Sequence, residues 1–381
     1  MTARTGRAKA KARLLYSASE TDPDILYPTG FFAPDPFLFV QAGGKRVMVM
    51  SDLERDRAHR QATVDEVLSW PAFARKVEAR GGPGGAAGVI AAVLRHLGVR
   101  TVAVPRAFPL GLSMEVDELG VRLEVEPDPF WPEREIKTAA EVRAIRAALR
   151  AAEAGLAAGI AALAACRIGR DGWLRRDGRR FTAEDLRAAV NTRILAEGCL
   201  PSHTICAPGD QAVDPHEEGH GPIRAHTPVV MDIFPRSERT GYYGDLTRTV
   251  VRGRASEALK AVYALVHEGV RLGHRRVRPG ASGMEIHREI QALFESRGFR
   301  TGMKDGRMQG FFHGTGHGLG LQIHEPPSIS VRGTVLRAGH VVTVEPGLYS
   351  LGLGGVRIED VAHVTATGSA NMTRVPKVLE V

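Results

Sequence analysis

The sequence predicts an α+β chain in two domains. A smaller mixed α/β domain is expected over residues 15–135. A larger one is expected over 136–381, in which helix, helix and strands come twice. Three observations carry this. Short apolar runs punctuated by Gly and Pro alternate with helical stretches over residues 15–130. FWPEREIKTAAEV (130–142) breaks that pattern and leads into a long Ala-rich helix. Beyond it, helices with capping signals precede apolar strands in each half, a pseudo-two-fold repeat of pattern rather than of residue identity.

The elements follow in order. Residues 1–13 hold Arg4, Arg7, Lys9, Lys11 and Arg13 and no acid, so 1–14 read as a basic flexible tail. FLFVQAGGKRVMVM (37–50) reads as two strands joined at Gly43-Gly44, and GAAGVIAAVLRHLG (85–98) as a helix. VRTVAVP (99–105) and VRLEVEP (121–127) read as strands. In the larger domain, a helix spans 138–166, and a second, opened by Thr182-x-x-Asp185, reaches Glu197. VVMDIF (229–234) and YYGDLTRTVV (242–251) read as strands. Ser256 then caps a helix to Arg271, and Ser282-x-x-Glu285 opens another to Arg297. VVTVEP (341–346) and GVRIEDVAHV (355–364) close the pattern as strands.

Apolar residues make up 43% of the 381 and charged residues 25%, enough for a sizeable core. The net charge is +8, but five of those charges fall in the first 13 residues. The folded body is therefore not the basic face a nucleic-acid binder presents. No apolar run follows the basic start, so it is no secretory signal. The longest weakly polar stretch, Ala154 to Cys166, is too short to span a bilayer. Cys166, Cys199 and Cys206 are an odd number without CxxC, which suggests buried thiols and a cytoplasmic location. Neither nucleic acid nor membrane is expected as a partner.

Four acids stand where apolar strands are expected: Asp232, Asp245, Glu345 and Glu359. Isolated ionised carboxylates are not tolerated there; they must be paired, neutralised or metal-bound. Two fall in each half of the repeat. Four carboxylates, two divalent cations and one neutral imidazole nearly balance. Such an oxygen-rich set suits Mn²⁺ or a similar ion better than a thiolate-type zinc site. Two metals about 3.5–4 Å apart generate a hydroxide and clamp a reacting carbonyl.

HGTGHGLGLQIHEPP (313–327) brings three histidines, His313, His317 and His324. The i, i+4 spacing of the first two suggests a zincin helix, but the glutamate of HExxH is missing. Glycines at 314, 316, 318 and 320 would each cost a helix roughly 1 kcal/mol. The segment therefore reads as extended or loop backbone with tight turns, with one metal ligand and two substrate-contacting groups more natural than three ligands. Arg357, two residues from Glu359, leaves the same strand face; it would orient a ligand carboxylate, stabilise developing charge or form a salt bridge. His216 and His220 share a Gly/Pro-punctuated loop before the first Asp strand.

MDIFPRSERTGYYGDLTRT, HGTGHGLGLQIHEPP, TVEPGLY and GVRIEDV, in this order, resemble the M24 metallopeptidases of the pita-bread fold, in the Xaa-Pro aminopeptidase and prolidase branch. The resemblance covers roughly 138–381, and IKTAAEVRAIRAAL resembles the family's opening helix. Residues 15–130 resemble the creatinase-type N-terminal domain more weakly. By position, the resemblance implies that Asp232 binds one metal and that Asp245 and Glu359 bridge two. His317 and Glu345 complete the second, and Glu345 is also the proton shuttle. His216, ranked above His220, joins His313, His324 and Arg357 as substrate-contacting or supporting groups. The implied cofactors are two divalent ions, Mn²⁺ first, with Co²⁺, Zn²⁺ or Fe²⁺ as alternatives. The implied substrate is a peptide or dipeptide with proline second, and the implied assembly is a homodimer.

The implied mechanism is attack by a metal-bridging hydroxide on the Xaa-Pro carbonyl carbon. His324 or His216 donates to the oxyanion, and Glu345 passes a proton to the proline nitrogen. Two rival readings share the fold: another metal-dependent C–N hydrolase, and a catalytically silent binding module. The silent module would lack ligands, and none is missing here.

Overall fold

The computed structural model describes residues 11–381. The chain forms two compact units, one up to Pro132 and one from Glu133 onward, a division three residues earlier than expected.

The first unit is built on a six-stranded mixed sheet. Its order is Glu66–Ser69, Lys45–Met50, Phe37–Ala42, Arg13–Ser17, Thr101–Pro105 and Arg122–Glu126. Strand residues alternate between two buried clusters. Leu14, Leu38, Val40, Val49, Val102 and Val104 pack with helix Gly85–His96. Leu15, Phe37, Phe39, Met48, Met50 and Ala103 join Phe130 and Trp131 in the other cluster. Because both faces are covered, FLFV is apolar throughout rather than alternating.

The expected tail needs correction. Residues 1–10 lie outside the described residues, but Arg13 and Leu14 already belong to the first strand. The basic side chains there are matched by partners. Lys11 pairs with Glu124 at 2.8 Å, and the Arg13 guanidinium lies 4.5 Å over the Trp131 ring. Leu14 and Leu15 are buried, so the strand's apolar pair outweighs its basic flank.

The second unit repeats helix, helix, strands. Helices Ala139–Ala164 and Ala183–Ala196 precede an antiparallel sheet of Ile205–Pro208, Pro228–Ile233 and Leu246–Val251. Both helices open with full capping boxes, Thr138 with Glu141 and Thr182 with Asp185. Helices Glu257–Arg276 and Gly283–Ser296 then precede a five-stranded sheet in the order Glu325–Ile329, Gly316–Gly318, Val341–Val344, Asp360–Val364, Ser369–Asn371. Gly347–Ser350 and Gly354–Arg357 form a separate hairpin.

Each half has its own core cluster. The first helix of each half carries a glycine pair four residues apart where neighbouring side chains press close. A Cβ on Gly155 or Gly159 would stand 2.8 Å from Ile194 or Val190. One on Gly269 or Gly273 would stand 2.9 Å from Phe294 or 2.6 Å from Val344. Glycine, poor in a helix interior, is kept there because nothing larger fits.

Helix Ala139–Ala164 is 26 residues long, twice the apolar stretch seen in the sequence, and by length and composition it meets the requirement for a membrane span. Half of its most apolar window is buried, with Ile145, Leu149, Leu156 and Leu163 in the first core. All three cysteines are free and buried.

Two expected strands are shorter than read. Asp245 stands just before Leu246–Val251, and Glu359 lies in a break between Gly354–Arg357 and Asp360–Val364. Glu345 follows Val341–Val344 directly. Of the four acids only Asp232 lies inside a strand. The others take the positions where a ladder ends and the backbone can turn its carboxylate out of the sheet.

Candidate metal centre

Asp232 lies on the middle strand of the first sheet, opposite Ile205 on one side and Thr247 on the other. Asp245 comes from the first half of the repeat, Glu345 and Glu359 from the second. The Glu359 backbone N–H donates to Thr247 O at 3.0 Å, fastening that break to the Asp245 strand. The Glu345 N–H donates to Thr315 O at 2.7 Å.

His317 is the central residue of Gly316–Gly318. The neighbouring glycines serve close approach, not turns; none of the four from 314 to 320 has a positive φ. A Cβ on Gly316 would stand 2.0 Å from Thr343 O, and one on Gly318 2.4 Å from Glu325 O. One on Gly320 would meet the Glu325 carboxylate at 2.3 Å. The expectation of tight turns is thereby corrected: the glycines let a strand press between two others.

One cavity of about 830 Å³ collects every predicted site residue: Asp232, Asp245, His317, Glu345, Glu359, His216, His313, His324 and Arg357. His220, the alternative to His216, is not among its lining residues. Ligand atoms of Asp245, His317 and Glu359 lie within 4.8 Å of one another. His317 Nε2 is 3.3 Å from Glu345 Oε1 and 3.7 Å from Asp245 Oδ2.

Burial pushes Asp245 and Glu359 well above the usual carboxylate range, and neighbouring carboxylates push the same way: Asp232 on Asp245, Asp245 on Glu359. Burial opposes charge on His317, yet its hydrogen bond to Glu345 and the nearby Asp245 carry it up to about 9. Burial likewise opposes charge on Glu345, and His317 overcomes it, bringing Glu345 down to about 2. The centre is short of positive charge.

The donor set fits a cation. Asp232 Oδ1 is buried without a hydrogen-bond partner. His317 Nδ1 donates to Gly318 O at 3.1 Å and so leaves Nε2 to face the acids; a cation there would take the place of the Nε2 proton, as in metal-bound imidazoles. Thr247 Oγ1 donates to Glu359 Oε2 at 2.8 Å, and Thr343 Oγ1 to Glu345 Oε1 at 3.2 Å. One threonine from each half thus steadies a carboxylate of the second half.

Arg357 is spent on the scaffold. It donates to Asp232 Oδ2 at 2.7 Å, Tyr349 Oη at 2.8 Å, Thr247 Oγ1 at 3.3 Å and Pro215 O at 3.3 Å. Of its sequence-level alternatives, the salt bridge is the one formed. Tyr349 then donates to His313 Nε2 at 2.8 Å, because His313 Nδ1 donates to Gly314 O at 2.7 Å. Burial holds His313 down to about 4, neutral as this chain of bonds requires. His324 packs its ring edge-on against His317 at 4.3 Å, and burial and the His317 charge lower its pKa. His216 is exposed at the cavity.

Sequence reasoning missed Tyr349, Thr247 and Thr343. TVEPGLY offered the one available signal, a phenol in a segment otherwise bound for the core.

Residues 143–366 match metallopeptidase family M24. The chain belongs to this family. A stretch of 140 residues is 43% identical to the uncharacterized peptidase YqhT of Bacillus subtilis, covering 36% of this chain and 37% of that protein. Another of 178 residues is 34% identical to an Xaa-Pro dipeptidase of Pyrococcus furiosus, covering 46% and 48%. The matches thus span less than half of these relatives' length. The probable dipeptidase PepE of Mycobacterium tuberculosis is 29% identical over 76% of this chain and 72% of its own. Among solved structures, the X-Pro aminopeptidase of Thermotoga maritima superposes with a TM-score of 0.82 at 22% identity over 97% of each chain. The prolidase of Pyrococcus furiosus gives 0.76 at 23% identity over 96% of this chain and 97% of its own. These establish the M24 pita-bread fold across nearly the whole chain.

Proposed function

We propose that this protein hydrolyses the Xaa-Pro bond at the N-terminus of peptides or in dipeptides, as a dinuclear metallopeptidase. The observation that carries the reading is the convergence of Asp232, Asp245, His317, Glu345 and Glu359 on one cavity, with a carboxylate excess that divalent cations would balance. Two divalent ions held by these five residues, Mn²⁺ first, would supply Lewis acidity and an acidified water.

The chain's own groups do the rest. Glu345, beside His317 and steadied by Thr343, takes up a proton and delivers it to the proline nitrogen, a poor leaving group until protonated. His324, or His216 across the cavity, donates to the developing oxyanion. Arg357 keeps Asp232 oriented rather than touching substrate. Phe234, Phe312 and Ile323 give the cavity apolar wall for a pyrrolidine ring. The names of the relatives, Xaa-Pro dipeptidase and X-Pro aminopeptidase, support the proline preference. We extend the same likeness to a homodimer, which light scattering tests.

The test is to measure metal in purified protein, reconstitute with Mn²⁺, and assay Gly-Pro and a longer Gly-Pro-Yaa peptide. Cleavage of the dipeptide alone assigns a dipeptidase; cleavage of the longer peptide assigns an aminopeptidase. Metal uptake with cleavage of neither moves the protein to another amide substrate. No uptake and no cleavage would falsify the peptidase reading.

A further inference from the structure

Arg248 is a buried charge that the mechanism does not use. It lies in strand Leu246–Val251 with 1% exposure, its neighbours Leu246 and Val250 in the first core. A guanidinium there costs several kcal/mol unless its donors are met. All five are. Nη1 donates to Thr247 O at 2.9 Å and Glu359 O at 2.5 Å. Nη2 donates to Asp360 Oδ1 at 2.8 Å and Val375 O at 3.2 Å, and Nε to Pro376 O at 3.3 Å. Asp360, also 1% exposed, places its other oxygen 2.6 Å from Lys377 Nζ and 2.8 Å from Asn371 Nδ2.

These bonds join three segments that are distant in sequence. One carries Asp245 and Thr247, one carries Glu359, and one is the C-terminal stretch from Asn371 onward. The stretch is tied down further on: Val251 N–H donates to Leu379 O at 2.6 Å, and the Val381 N–H to Val251 O at 2.9 Å. Glu359 stands in a break between strands. Its carbonyl oxygen is met by Arg248, while its carboxylate is met by Thr247.

We propose that Arg248 and the C-terminal segment form a latch that positions Glu359 and Thr247 for metal binding. Arg248 is a positioning residue: it holds the backbone that aims a ligand and touches neither metal nor substrate. The inference rests on Glu359 being a ligand, as proposed above.

Full-length Arg248→Met, Arg248→Lys and Lys377→Met test it, by calorimetric titration of the metal-free proteins with Mn²⁺ and by their metal-free melting temperatures. Losing outer contacts of this kind weakens metal binding about 10- to 100-fold, the loss expected for Arg248→Met. Arg248→Lys should recover part of it. Lys377→Met, which disturbs the latch only through Asp360 and survives if Arg248→Met fails to fold, should weaken binding less but measurably. Wild-type affinity in Arg248→Met, or in Lys377→Met where Arg248→Met does not fold, overturns the latch. So does lowered melting with unchanged affinity. A wild type that takes up no metal overturns the site reading and the latch together; a wild type that binds beside variants that bind equally overturns the latch alone.

Discussion

Nη2 of Arg357, which is buried, stands 2.7 Å from Oδ2 of Asp232, whose side chain is 15% exposed. That one bond fixes the carboxylate's rotation and leaves Oδ1, without a partner, as its free lone-pair donor. Removing one member of such a pair strands the other as an uncompensated charge. Arg357→Met should therefore lower both metal affinity and kcat, each by about 10- to 100-fold, with KM changing little. Arg357→Lys should restore less than half of the loss, since an ammonium cannot span Asp232 and Tyr349 as a fork does. Metal titration with steady-state kinetics decides; a rise in KM alone would show Arg357 acting on substrate instead.

The two histidines seven residues apart should separate cleanly. His317 Nε2 faces Asp245 and Glu345, whereas His324 only packs against the His317 ring. His317→Ala should lose bound metal. His324→Ala should keep it and lose turnover by about 100-fold, the scale of a missing oxyanion donor. Equal metal loss in both variants, read by elemental analysis, would show that the division of labour is wrong.

This division illustrates what residue types alone conveyed. Carboxylates in apolar runs are conspicuous because burial is costly, so the four acids that line the cavity stood out by residue type; that His317 rather than His313 or His324 faces them came only with the family resemblance. What failed was local backbone. YYGDLTRTVV and GVRIEDVAHV look like unbroken strands, and only the pairing partners show that the ladders stop at Asp245 and Glu359. Thr247, Thr343 and Arg248 stayed hidden because a hydroxyl or guanidinium in a strand has no signature until its acceptor is known. The glycine pairs 155/159 and 269/273 also went unread: they repeat a spacing at equivalent helices, and only the close packing around them shows why.

The glycines of HGTGHG predict a contrast. At Gly316 a Cβ would stand 2.0 Å from a backbone oxygen of the adjoining strand, and backbone cannot swing aside. Gly316→Ala should cost about 3 kcal/mol, the upper range for overpacking. In a domain of this size that lowers Tm by about 6–12 °C. Gly314 has its nearest neighbours at 3.4 Å, an ordinary contact, so Gly314→Ala should melt within about 2 °C of wild type. Equal melting of the two variants would refute the close-approach account of the motif.

His340 offers a pH dependence separate from the metal centre. Burial, together with the charges of Arg337 and Lys137, lowers its pKa to about 4. Its Nδ1 accepts from the Arg337 backbone N–H at 3.0 Å, so the neutral ring is the form the fold requires. The unfolded chain protonates near 6.5, above the folded value. The unfolded state therefore binds more protons between these values. The contribution is complete above pH 6.5 and is lost as pH falls toward 4. A shift of this size corresponds to about 3 kcal/mol. His340→Asn keeps an acceptor for Arg337 and removes the titration. Urea unfolding of the metal-free proteins from pH 7.5 to 4 should show the wild type losing stability faster than the variant by up to that amount, with the divergence beginning near pH 6.5. Parallel curves would mean that His340 titrates alike in the folded and unfolded chain, and that its burial does not hold it neutral.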